Sequence, residues 1–246
     1  MLHAPKPDGF YSLTRVCWTH QQGKCFELAF EIPQGYEPIP VSLHYAVSGE
    51  HDLVRSTLNQ RFLIAKKIGR ALSEWHSVDF VHQSISPRNV VFFRREGAKD
   101  LDYTSPFLCG LEYSRMIREQ SNAVYIDNPD VNIYRHPHRQ GVPREDHQKT
   151  HDIYSFGGFL IELGMWKAVK SLARKSSKVD DLPTILGSVA GFHLGHLMGT
   201  EYIDAAILCL TADLGIKVDD QAQRSLATAF KVRDLDRLKP DTLKTI

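Results

Sequence analysis

Residues 58–76 carry the clearest pattern in the chain. Apolar side chains fall at Leu58, Phe62, Ala65, Ile68, Leu72 and Trp75, three or four apart, with Arg61, Lys66, Lys67, Arg70 and Glu74 between them. That spacing predicts a helix with one apolar stripe, capped at its start by Thr57 or Asn59. Residues 153–166 are apolar almost without interruption except at Glu162, which predicts a helix buried on all sides at the centre of a helical domain. Residues 16–32 predict two strands, joined by a turn at Gln21-Gln22-Gly23-Lys24 and followed by a Pro- and Gly-rich loop over 33–40. Val90-Val91-Phe92-Phe93 predicts a short buried strand that returns through a polar turn to Phe107-Leu108-Cys109. Residues 112–149 read as one long irregular stretch, of a length that in a compact domain belongs to function or motion. Further helices are expected over 182–197 and 200–210, and a polar one over 221–237 with Leu226, Ala229, Phe230 and Leu235 on its apolar side.

Composition narrows the class without naming it. The chain has 246 residues, 42% of them hydrophobic and 24% charged, enough to bury a core without covalent staples. A formal charge of +1 gives no footprint for nucleic acid. Cys17, Cys25, Cys109 and Cys209 form no Cys-x-x-Cys pair, which argues against a zinc ribbon or a thioredoxin-like site and for buried thiols in a reducing compartment. The first ten residues lack the apolar run of a signal peptide, and the longest apolar stretch is too short to span a bilayer. A cytoplasmic protein with no transmembrane segment is expected.

Four motifs, in order along the chain, resemble the landmarks of a protein kinase. His82-Gln83-Ser84-Ile85-Ser86-Pro87-Arg88-Asn89 aligns without gaps with the catalytic loop H-R-D-L-x-x-x-N. Leu108-Cys109-Gly110 stands where D-F-G holds magnesium, and Tyr134-Arg135-His136-Pro137-His138 stands where A-P-E closes the activation segment. Asp152-Ile153-Tyr154-Ser155-Phe156-Gly157 resembles the start of the buried kinase helix whose Asp holds the catalytic loop's backbone. The flavour is that of fungal kinase-like domains found behind HeLo-type or prion-inhibition domains in heterokaryon-incompatibility proteins. The resemblance implies an α+β, mostly α fold. Residues 1–40 would be a two-stranded N-lobe remnant with hinge, and 41–246 a helical C-lobe. Phe30 would be the gatekeeper and Glu31 and Ile32 the hinge side of a nucleotide pocket.

The same alignment implies lost chemistry. Ser84 replaces the catalytic base, Ser86 the catalytic-loop lysine and Leu108 the metal-binding aspartate; His82 and Asn89 are retained. Asp152, Gly110 and Gly157 are expected to serve structure. No Gly-rich phosphate loop and no strand carrying the ATP-binding lysine precede residue 16. The expected function is that of a pseudokinase with no metal and no magnesium–ATP cofactor. It would act on a protein partner as an interaction or regulatory module, in fungal incompatibility or cell-death signalling. It would have an N-terminal effector domain in a longer parent chain. The alternative is an atypical kinase that uses displaced acids such as Glu112 or Asp79 and borrows an N-lobe from a longer parent. His136, His138, His147 and His151 are expected to form an exposed loop rather than a zinc site, since no acidic ligand has the usual spacing.

Overall fold

The computed structural model describes residues 15–21, 25–49, 52–119, 128–173, 193–216 and 219–239. It is an α+β chain, about half helical, with a few small antiparallel sheets. Strands β1 (Arg15–Gln21) and β2 (Cys25–Phe30) pair antiparallel, with Trp18 opposite Leu28. After the loop, β3 (Val41–Ser42) runs directly into α1 (Leu43–Val47), whose first turn is closed by the Ser42 hydroxyl accepting the Tyr45 N–H. Helix α2 (Leu58–Ser77) begins with a capping box: the Thr57 hydroxyl accepts from Gln60 N–H while the Gln60 side chain accepts from Thr57 N–H. Its stripe from Phe62 to Trp75 is buried, whereas Leu58, one turn ahead of the core, stays exposed.

Strand β4 (Phe80–Val81) follows α2, and a 3-10 turn at Pro87–Asn89 leads into β5 (Val90–Phe92). Strand β6 (Phe107–Leu108) completes a sheet of order β3-β5-β6, and β7 (Arg115–Met116) pairs back onto β4. The stretch 112–149 is therefore not one continuous loop. It holds β7, a one-turn helix α3 (Pro129–Asn132) and a 3-10 turn at Pro137–Arg139, while 120–127 lie outside the described residues. Short elements of this size leave no periodicity in the sequence.

Helix α4 (Lys149–Met165) is the centre of the core. Ile153, Phe156, Phe159, Leu160, Ile161 and Leu163 are all fully buried, and Trp166 ends the helix in the left-handed region at φ 49°. After α5 (Val169–Ala173), residues 174–192 fall outside the description, including most of the helix expected over 182–197. Its described end is α6 (Gly195–Met198), which meets α7 (Thr200–Thr211) at Gly199. Helices α4 and α7 touch at Gly157, where a Cβ would come 2.9 Å from that of Cys209; no larger residue fits there without moving a helix. The C-terminal helix is shorter and less regular than its pattern predicts. It begins after the left-handed Gln223 as α8 (Arg224–Ala229), widens into a π-turn at Phe230–Asp234 and tightens at Leu235–Arg237. No described helix is long and apolar enough to cross a membrane.

Candidate functional site

Asp152, in the first turn of α4, is fully buried and ties three segments together. Its Oδ2 accepts the His82 N–H at 2.7 Å and lies 3.1 Å from His76 Nε2; its Oδ1 accepts the Gln83 N–H at 2.8 Å and lies 2.8 Å from His147 Nε2. An ionised carboxylate only accepts, so both imidazoles present Nε2–H to it. Burial works against the charge of Asp152, but the two histidines outweigh it and hold the carboxyl well below its usual range. Gln83 accepts a left-handed backbone, φ 67°, and its N–H points at Asp152. A non-glycine residue pays roughly 1–2 kcal/mol for that conformation.

Above this node the loop 82–89 closes on itself. Asn89 Nδ2 donates to the Ser84 carbonyl and to the Ser84 hydroxyl oxygen, both at 2.7 Å, and Cys109 N–H donates to the Asn89 carbonyl at 2.7 Å. Gly110 is required beside it: φ is 82°, and a Cβ there would lie 2.4 Å from Asn89 Nδ2. His82 is fully buried and its Nδ1 accepts the Ser84 N–H at 3.3 Å. Burial pushes its imidazole down to about 4, against the pull of the Asp152 charge, so it is neutral at physiological pH. Leu108 is fully buried in β6 opposite Val90.

A cavity of about 390 Å³ opens beside this loop, lined among others by Ser84, Ser86, Arg88, Asn89, Glu112 and Arg135. Phe30, Glu31 and Ile32 are not among its lining residues; Phe30 ends β2, and Glu31 and Ile32 are exposed. Asp79 does not reach it either, since its carboxylate sits 3.0 Å from Lys149 Nζ, a fully buried cation, and 3.5 Å from Arg224. A second cavity, about 430 Å³, lies between α2 and the C-terminal turns and is lined by Lys66, Arg70, Glu74, Lys231 and Asp236. It mixes charges of both signs and holds none of the loop residues, so the first cavity is the candidate site.

The histidines of residues 136–151 depart from expectation. His147 and His151 are buried, and Glu145, which no spacing rule singled out, joins them. One ligand atom each from His136, Glu145 and His151 lies within 4.8 Å of the others. The hydrogen bonds argue against a cation there. His151 Nδ1 accepts the Gln148 N–H at 3.0 Å, which leaves its proton on Nε2, 3.0 Å from Glu145 Oε1. His136 Nδ1 likewise accepts the His138 N–H at 3.3 Å. A metal-bound imidazole keeps an N–H on its other nitrogen, and here that nitrogen is an acceptor in both rings. Glu145 also meets His138 Nδ1 at 2.9 Å, so the cluster is a hydrogen-bonded bracket at the entry of α4.

Compared with protein-family models and with curated protein sequences, the chain matches none. Sequence reasoning missed His76 and His147 as donors to Asp152, and Arg135 and Arg139 as lining of the cavity. Only His147, five residues ahead of Asp152, left a local signal.

Proposed function

We propose that the chain is a pseudokinase lobe, a binding or regulatory module that keeps the scaffold of a phosphotransferase loop without its chemistry. The observation that carries this reading is the state of Asn89: its amide nitrogen is consumed by Ser84, where phosphoryl transfer would need a carboxylate, while Leu108 is turned into the core. Transfer to a hydroxyl depends on a base and on metal held against the phosphates. A serine hydroxyl supplies no base at neutral pH, and a missing general base alone costs about 10²–10⁴ in rate. The retained parts, Asp152 with its four donors and Gly110 against Asn89, all serve shape. A protein partner and a place in fungal incompatibility or cell-death signalling, behind an effector domain, are supported by the motif resemblance.

Thermal unfolding with millimolar ATP or ADP, with and without magnesium, tests the reading, since a ligand of the folded state raises the midpoint. No magnesium-dependent shift is expected. Phosphotransfer that disappears in Asn89→Ala would overturn the proposal. The atypical kinase retains one acid, Glu112, at the edge of the cavity, because Asp79 is engaged by Lys149. A magnesium-dependent shift lost in Glu112→Gln would favour it.

A further inference from the structure

The polar lining of the candidate cavity is unbalanced. Arg135 is half-buried, its Nη1 is shut away from solvent, and its guanidinium has no hydrogen-bond or ion-pair partner among the described residues. Burial alone pushes its pKa down; no carboxylate pulls it back. Arg139 is almost fully buried with Nη1 on the Glu145 carbonyl, and after burial itself the charge of Arg135 is the strongest influence pushing its pKa down, so the two guanidiniums repel each other. The cavity is lined by three arginines, Arg88, Arg135 and Arg139, against two carboxylates, Asp130 and Glu112, and Glu112 forms no ion pair with Arg135 among the described residues. Glu145 faces His138 and His151, and Asp130 lies 2.5 Å from Lys170 and 4.0 Å from Arg88. An unmatched, partly desolvated cation is costly, and the cost falls when an anion arrives.

The lining also supplies hydroxyl donors. Ser84 Oγ accepts from Asn89, which leaves its own O–H to donate, and Ser86 lines the same cavity. A single carboxylate matches one guanidinium. A group near −2 with three acceptor oxygens matches the Arg135 guanidinium, the charge of Arg139 behind it and the two serines, and 390 Å³ leaves room for an organic substituent.

We propose that this cavity binds a phosphate monoester, with the Arg135 guanidinium as its charge anchor and Arg139, Ser84 and Ser86 completing the recognition. The site deepens the pseudokinase reading and rests on it in one respect, that the cleft binds its ligand without turning it over.

Titration calorimetry on the full chain tests this with N-acetylphosphoserine amide and glucose 6-phosphate. N-acetylserine amide and inorganic phosphate are the references. At least one ester is expected to bind 10-fold or more tightly than either reference, and the tighter ester tells whether the source is a phosphorylated side chain or a small metabolite. Arg135→Gln is expected to weaken binding about 10-fold or more with the unfolding midpoint unchanged or raised, because the side chain gives up no described partner and a partly desolvated charge is removed. Ser86→Glu, which sets a carboxylate in the cavity, should weaken it as much and decides the matter if Arg135→Gln fails to fold. The proposal is overturned if neither ester outbinds N-acetylserine amide, if inorganic phosphate matches both, or if Arg135→Gln binds like the parent. Phosphate transfer from an ester with the dependence on Arg135 intact supports the site and sinks only the pseudokinase reading.

Discussion

Asp152 and Asp234 are both carboxylates in the interior of this chain, and they live in opposite electrostatic worlds. Asp152 has four donors, two from backbone and two from histidines, and its acidity is enhanced. Asp234, in the π-turn after α8, has a single described partner, the Cys209 thiol at 2.8 Å, and its Oδ1 has none. Burial pushes Asp234 up to about 7, with the thiol and Arg237 resisting only in part. Depth does not decide the charge of a buried acid; the number of donors aimed at it does. One carboxylate is an ionised hub that fixes a loop, and the other is held near neutrality at a helix crossing.

The largest test of that contrast removes the hub. Asp152→Ala leaves two buried histidines and two backbone N–H groups unpaired and should cost about 3–5 kcal/mol, read as a drop in the urea midpoint. Asp152→Asn keeps the shape but loses the charge and should fall between parent and Ala. Acid should attack the same region. His82 is neutral in the folded chain down to about 4, whereas an unfolded histidine takes its proton near 6.5. Stability should therefore fall as pH drops from about 6.5 towards 4, by on the order of 1 kcal/mol per pH unit for this group. Asp152, with its folded value depressed, stabilises above the unfolded carboxylate range, and that contribution is lost as pH falls further.

Asp234 should behave in the reverse sense. A folded value raised to about 7 gives stability that is complete below the unfolded carboxylate range and is lost as pH rises towards 7. Asp234→Asn should gain on the parent as pH rises from about 4 to about 7 and level off above that, measured as the difference in unfolding free energy; a difference that stays flat across that range would break the comparison. The smallest effect belongs to Cys209→Ala. Removing the thiol donor should cost about 1 kcal/mol and carry the Asp234 transition to higher pH, visible in the same series.

How much of this was legible in the sequence follows from length scale. Helices α2, α4 and α7 span three turns or more, so their patterns show through, and Thr57 announces its cap by chemistry. Helix α1 spans five residues and the β4–β7 pair joins Phe80 to Met116 through two-residue strands, too short for any period to register. The site divides the same way. Ser84, Ser86 and Asn89 stand in one local motif and Gly110 in the next, and they come together around one loop. The partners that give Asp152 its charge come from α2 and from the approach to α4, and His76 is read from sequence only as the end of a stripe. Arg135 is an ordinary basic residue until the chain folds and leaves it without a carboxylate.

Gly110 sets a rule for drift in this loop. Because the space left by its missing side chain is occupied by the Asn89 amide, a side chain at 110 displaces that amide and its bonds to Ser84. Chains that close a loop this way should keep the glycine wherever they keep the asparagine. The closure of this loop is then carried by an absence of atoms.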